Sequence, residues 1–75
     1  MKTLEILINK EAILKSRVSK RKILDSVEVG TVHRKISEES IQIKSTIEIG
    51  NKKFDVIWAC VIDGTKLVVM DVIVE

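Results

Sequence analysis

The chain has no proline and no tyrosine, and only one phenylalanine and one tryptophan, among its 75 residues. Proteins that stack single-stranded nucleic acid on aromatic platforms need several such side chains, so this mode of binding is nearly excluded. The single cysteine, Cys60, excludes a disulfide framework and a cysteine-based zinc site. The single histidine, His33, excludes a metal site built on a histidine pair. We therefore expect neither a metal ion nor a cofactor.

Long hydrophobic segments are also missing. The longest apolar run, residues 56–62, has seven residues, whereas about 20 are needed to cross a bilayer. Glu5 interrupts the first apolar stretch, which is unlike a signal peptide. Together with the lone thiol, these features predict a reduced, cytoplasmic protein without membrane contact. The short length predicts one domain over residues 1–75.

What the chain has in abundance is β-branched aliphatic residues, with 12 isoleucines and 10 valines. These residues favour strands, and two short helical segments precede the strongest strand signals. Asn9 is a suitable N-cap for a helix over residues 10–16, and Ser19 for a second helix that Gly30 would end in a left-handed conformation. Residues 3–8 read as a short strand or a lead-in to helix, and residues 31–39 as extended chain.

Three strands are predicted after residue 39. Residues 40–49 alternate between apolar and polar side chains, and residues 54–62 and 66–74 follow as further strands. A two-residue turn at Gly50 and Asn51 pairs residues whose numbers sum to 101, and a turn at Asp63 and Gly64 pairs residues that sum to 127. The expected fold class is α+β, with one or two N-terminal helices packed on a three- to four-stranded antiparallel meander.

These registers divide the sheet into two faces. One face would pack against the helices and would hold Cys60 as an inert buried thiol. It would also align Asp71 with Ser45 and Val56. Asp71 is then a functional carboxylate, an acid at the uncovered end of the sheet, or an acid that takes a buried hydrogen bond. The other face carries an apolar group that needs a cover: Ile57, Val61, Val68, Met70 and Val72. Either residues 3–8 or a partner, such as a second copy or a small protein, would supply that cover.

Charge is distributed unevenly along the chain. Residues 1–35 carry nine Lys or Arg and four Asp or Glu, which gives +5, whereas residues 36–75 carry four and seven, which gives −3. The basic residues either contact phosphates or merely keep a small apolar domain in solution. The candidates for phosphate contact are Lys10, Lys15, Arg17, Lys20, Arg21, Lys22, Arg34 and Lys35.

His33 is the one candidate for proton transfer. It lies beside Arg34 and Lys35, a combination compatible with acid–base chemistry at a phosphodiester. The alternative is an exposed histidine in a connecting segment.

Several features resemble a known group of small α+β domains. The stretch Arg17-Val18-Ser19, followed by Ile23, Val27 and the closing Gly30, is similar to the helix start and end of the RelE and BrnT ribonuclease toxins, and most similar to their relatives in the DUF forty-two fifty-eight family. The C-terminal hairpin from residue 54 to 74 also fits. This resemblance implies a toxin–antitoxin role with RNA as the ligand and, if the chain is an enzyme, a metal-independent ribonuclease. The family's usual His and spaced Arg are missing from the first helical stretch, residues 9–17, which here has one arginine and no histidine.

Two functions follow as predictions. The first is a toxin-like module that binds nucleic acid, preferably RNA, through its basic helical segment and without efficient catalysis. The second is a non-catalytic interaction subunit that docks through the apolar second face of its sheet.

Overall fold

The computed structural model describes residues 5–73, which form two helices and five strands. In chain order these are β1 (Glu5–Ile8), α1 (Lys10–Ser16), α2 (Lys20–Val29), β2 (Thr31–Lys35), β3 (Ser40–Ile49), β4 (Lys52–Asp63) and β5 (Lys66–Ile73). The predicted α+β class is confirmed. Within residues 5–73, neither helix is long and apolar enough to cross a membrane.

The sheet is larger than predicted and is mixed. Its strand order is β1-β5-β4-β3-β2, in which β1 pairs parallel to β5 and all other neighbours are antiparallel. Residues 5–8 therefore extend the sheet as an edge strand and do not fold over its second face. Residues 3 and 4, the other part of that predicted segment, lie outside the described residues.

Both helices begin where the sequence predicts. The side chain of Asn9 accepts a hydrogen bond of 2.9 Å from the backbone N–H of Glu11, and that of Ser19 accepts one of 3.3 Å from the backbone N–H of Lys22. These caps satisfy amides that would otherwise lack partners at each helix start. Ala12 and Ile23 are fully buried, which fixes the inward face of each helix.

The helix ends differ from the prediction. Gly30 has φ −76° and is extended, so it does not take a left-handed conformation. A glycine is needed there because a Cβ atom would lie 2.6 Å from Cγ2 of Ile43 and 3.0 Å from the carbonyl oxygen of Lys44. The left-handed residue is instead Arg17 at the end of α1, with φ 58°.

The pairing of β3 with β4 follows the predicted register. Partner numbers sum to 101 throughout, from Ser40 opposite Val61 to Ile49 opposite Lys52. Gly50 has φ +64° at the first position of the two-residue loop, where a type II′ turn requires it.

The predicted register between β4 and β5 is wrong. Asp63 pairs with Lys66, so the loop consists of Gly64 and Thr65. Gly64, with φ +63°, occupies the first loop position just as Gly50 does, whereas the prediction placed it second. Partner numbers near this turn therefore sum to 129, two more than predicted.

A second irregularity changes which side chains of β5 lie on each face of the sheet. The register shifts again between Ala59 and Cys60, so that Ala59 pairs with Asp71 and Trp58 pairs with Val72. Asp71 is therefore not aligned with Val56, and the predicted row through Ser45 is wrong. Val72 packs against the core and does not belong to the second face. Single-sequence patterning misses such a bulge because it inserts one unpaired residue without a distinctive residue type.

The core lies between the helices and one face of the sheet. Its buried residues include Val18, Ile23 and Val27 from the helical segment and Ile43, Val56, Trp58, Cys60, Leu67 and Val69 from the strands. Burial raises the pKa of the Cys60 thiol to about 12, so the thiolate is scarce at neutral pH. This agrees with the prediction of an inert cysteine.

Candidate nucleic-acid interface

The structure divides the eight predicted phosphate-binding residues into three groups. Arg17, Lys20, Arg21 and Lys22 lie at the turn between α1 and α2 and in the first turn of α2. Lys10 and Lys15 lie on α1, which packs beside β5. Arg34 and Lys35 lie on the edge strand β2. All eight are exposed.

The first group, here called the turn cluster (Arg17, Lys20, Arg21 and Lys22), begins at a residue with unusual backbone geometry. Arg17 is the one non-glycine residue with positive φ in residues 5–73. Its N–H donates a hydrogen bond of 2.9 Å to the carbonyl oxygen of Ile13, which closes α1. The reversal lets buried Val18 and the N-cap Ser19 follow directly, so only residues 17–19 separate α1 from α2.

The turn cluster is concentrated at the positive end of a helix. Lys20, Arg21 and Lys22 are the first three residues of α2, and no acidic residue occupies this first turn. A helix N-terminus carries about half a positive charge, so three cations there are unfavourable by roughly 0.3–1 kcal/mol each unless an anion is near. Local electrostatics at this end of the molecule therefore favours a negatively charged partner.

The β3–β4 hairpin adds further basic residues to the end of the molecule where the turn cluster lies. The amine of Lys22 donates a hydrogen bond of 3.2 Å to the main-chain oxygen of Glu48. Arg17, Lys22 and Ile49 line one shallow depression, and Lys52 is the strand partner of Ile49. Lys52 and its neighbour Lys53 are exposed, and neither belongs to the eight residues predicted to contact phosphates. The proximity of Lys52 and Lys53 to the turn cluster depends on how the helices pack on the hairpin, and no local sequence pattern predicts that packing.

Lys15 has a partner within the chain. Its amine lies 3.1 Å from a carboxylate oxygen of Asp71. The hydrogen bond from Lys15, together with one from the backbone N–H of Val72, lowers the pKa of the Asp71 carboxyl below its ordinary value. The sequence left open whether Asp71 is a functional carboxylate. In the structure it links α1 to the end of β5 through Lys15, and the Asp71 side chain is 38% exposed.

The basic residues of β2 lie far from the turn cluster. Arg34 pairs with Gln42, whereas Lys22 contacts Glu48, six residues further along β3. At about 3.4 Å per residue, the two groups are separated by roughly 20 Å. Lys35 lies 3.7 Å from Glu38. The structure therefore does not join the two groups into one continuous surface.

His33 lies at an irregular point of β2, where the register shifts between Val32 and Arg34. It is exposed, and no side chain within residues 5–73 hydrogen-bonds to it. The described part of the chain also contains no group of three or more His, Cys, Asp or Glu residues that could hold a metal ion. The structure thus supplies no orienting partner for acid–base catalysis by His33.

Of the five residues predicted to form a partner surface, four lie outside the helix-facing core, and Val72 packs against that core. Ile57, Val61, Val68 and Met70 lie outside the helix-facing core cluster, although Ile57 is itself buried. β1 adds Leu7, which pairs with Val68 and is 38% exposed, as is Met70. The buried apolar residues of the two helices, Ala12, Ile23 and Val27, belong to the core cluster and not to this surface. We call this set, Leu7, Ile57, Val61, Val68 and Met70, the outer face.

Comparison with protein-family models, with curated proteins and with solved structures found no match to this chain. The resemblance to RelE and BrnT toxins accordingly stays a prediction.

Proposed function

We propose that this protein binds nucleic acid, with RNA preferred, through phosphate contacts made by the turn cluster. The preference for RNA comes from the resemblance to ribonuclease toxins. Since Phe54 is the one exposed aromatic side chain among residues 5–73, phosphate contacts supply most of the affinity, and binding is largely independent of base sequence.

The observation that carries this proposal is the uncompensated charge at the start of α2. The two ion pairs formed within residues 5–73 involve Lys15 and Lys35, and neither involves the turn cluster. Lys22 contacts only a main-chain oxygen there, which leaves its positive charge unneutralised. A polyanion bound at this end of α2 would remove the repulsion among these cations.

Arg17 provides a second argument. A left-handed conformation costs an L-residue about 1 kcal/mol relative to glycine, and glycine is the usual residue at such helix ends. An arginine at this position gives up stability but adds a cation next to Lys22. A loss of stability of this kind is expected where the side chain binds a ligand.

Efficient catalysis is not part of the proposal. His33 lies on β2, roughly 20 Å along the sheet from the contact between Lys22 and Glu48. A phosphodiester held by the turn cluster would therefore lie beyond the reach of the imidazole, because proton transfer requires direct hydrogen-bond distance or one bridging water.

Fluorescence anisotropy with a labelled single-stranded RNA tests the proposal. Arg17→Gly is expected to weaken binding while it keeps or raises the midpoint of urea unfolding, because glycine relieves the left-handed strain. The matched control is Lys35→Ala, which removes one cation outside the turn cluster. Equal affinities of both variants and the native chain would reject the turn cluster as the binding site.

A second candidate function is docking of a protein through the outer face. The observation that favours it is the addition of β1, which places Leu7 beside Val68 and extends the apolar area across three strands. Exposed apolar areas of this kind commonly mark interaction sites. A second copy of the chain and a small protein partner are both compatible with it.

A further inference from the structure

Strand β3 is longer than its neighbour β2, and the difference leaves part of its edge open. β2 pairs with residues 41–44 of β3, while β3 continues to Ile49. Within the described chain, residues 45–49 therefore have a strand neighbour on the β4 side alone. Open edges are usually protected by proline, charged side chains, a bulge or a covering element. This segment contains no proline, its pairing with β4 is regular, and Glu48 is its one charged residue.

The hydrogen-bonding groups that face this edge can be identified. The carbonyl oxygen of Glu48 accepts from the amine of Lys22, so it points away from β4. The carbonyl oxygen of Lys44 faces Gly30 at the start of β2 and lies on the same side. Because backbone groups alternate in direction along a strand, the N–H and C=O of Thr46, midway between them, also point to the open edge.

A groove of about 460 Å³ runs between α2 and this edge. Val29, which is 77% exposed, and half-buried Ile47 give it an apolar wall. Lys22 lies at the end nearest the hairpin, and Asp25 lies between Lys22 and Val29 on the helix. The groove thus combines free backbone groups, an apolar wall and one basic end.

We propose that this groove binds an extended peptide, which adds to β3 as a further strand. Backbone hydrogen bonds to Thr46 provide affinity, as in other sheets that accept a peptide strand at an edge. An apolar side chain of the peptide packs against Val29 and Ile47. An acidic residue of the peptide lies at the Lys22 end of the groove, because the neighbouring Arg17 and the positive helix terminus favour negative charge there.

The charges in the groove also indicate a peptide from another protein and not a second copy of this chain. A two-fold pairing of β3 with itself along residues 45–49 would place Thr46 of the second copy opposite Glu48, at the end of the groove where the amine of Lys22 lies. That arrangement offers Lys22 no acidic partner, whereas a peptide from another protein can supply one. The carboxylate of Asp25 restricts acidic residues of a bound peptide to the Lys22 end.

The probe is a fluorescein-labelled, end-capped eight-residue peptide, with two glutamates followed by alternating threonine and valine, titrated with the native chain. Val29→Asn removes the apolar wall without adding charge and is expected to weaken binding about tenfold. Ile36→Asn is the matched control, since Ile36 is 56% exposed and does not line the groove. RNA affinity of Val29→Asn should remain native, which separates this proposal from nucleic-acid binding.

Backbone pairing is tested with two peptide isomers that carry N-methyl groups on alternate amides. The isomer methylated on the amides that face β3 should lose binding, and the other should keep it. Equal binding by both isomers, native affinity in Val29→Asn, or no binding at millimolar protein would each overturn the proposal. So would a concentration-dependent dimer that Val29→Asn dissociates, because the groove would then hold a second copy.

Discussion

The indole N–H of Trp58 donates a hydrogen bond of 3.1 Å to the hydroxyl of Ser26. The main-chain oxygen of the same serine accepts a bond of 2.7 Å from the hydroxyl of Ser45. Trp58 is fully buried and Ser26 nearly so. One residue of α2 thus connects the helix to both β3 and β4, and it fixes the position of the turn cluster against the β3–β4 hairpin.

Replacing that serine should therefore weaken the fold. Ser26→Ala leaves the buried indole N–H without its partner, and we expect the free energy of unfolding to fall by about 1–3 kcal/mol. Urea unfolding monitored by tryptophan fluorescence measures the change. Ser37→Ala, at an exposed position, should remain close to native. Equal midpoints for the two variants would show that the hydrogen bond to Trp58 contributes little.

The close approach of Gly30 to β3 gives a second prediction. Gly30→Ala is compatible with φ −76° but forces its Cβ against Ile43, and we expect a loss of about 1–3 kcal/mol in the free energy of unfolding. Gly50→Ala is the comparison, since its Cβ meets open space and only its positive φ is strained. A native melting temperature for Gly30→Ala would mean that Ile43 moves aside without cost.

The ion pair between Lys15 and Asp71 should make stability depend on pH. The pKa of the Asp71 carboxyl is lowered in the folded chain, so the contribution of the pair is present above the unfolded value of about 3.9 and is lost as pH falls through the folded value. Asp71→Asn should therefore lower the unfolding midpoint at pH 7 but not below the folded pKa of Asp71.

Asp55→Asn serves as the control for this pH dependence, because Asp55 is exposed and forms no ion pair with another described residue. A difference between Asp71→Asn and the native chain that persists unchanged at low pH would assign the effect to something other than the charge of Asp71.

The outer face predicts a change in assembly. If a second copy covers it, the native chain should sediment as a dimer, and Leu7→Glu and Met70→Glu should each produce monomers, because each places a charge in an apolar contact. Leu14→Glu is the control, since Leu14 is 59% exposed on α1. A native chain that stays monomeric at high micromolar concentration would exclude the second copy and leave a different protein as the partner.

Local signals in the sequence predicted the parts of the fold that depend on neighbouring residues. The caps at Asn9 and Ser19 and the register around Gly50 are examples, because each follows from side-chain chemistry within a few positions. The shift between Ala59 and Cys60 could not be predicted, since a bulge is favoured by twist and packing across strands.

The candidate site, too, could be predicted from the sequence only where it depends on neighbouring residues. The basic run at residues 20–22 and its position directly after the N-cap Ser19 follow from the sequence. Its proximity to the β3–β4 hairpin depends on the packing of the helix on the hairpin. The separation of Arg34 from this cluster also could not be read from the chain, because it depends on which part of β3 each residue meets. The parallel pairing of β1 with β5 joins opposite ends of the chain and leaves no local signal.

The salt dependence of RNA affinity tests the central claim most directly. Each phosphate neutralised contributes roughly −0.7 to −0.9 to the slope of log affinity against log salt concentration. We expect the triple variant Lys20→Ala, Arg21→Ala, Lys22→Ala to flatten the native slope by up to about two to three units while its circular dichroism stays native. A slope in the triple variant equal to that of the native chain, or no binding by the native chain at low salt, would contradict nucleic-acid binding through the turn cluster.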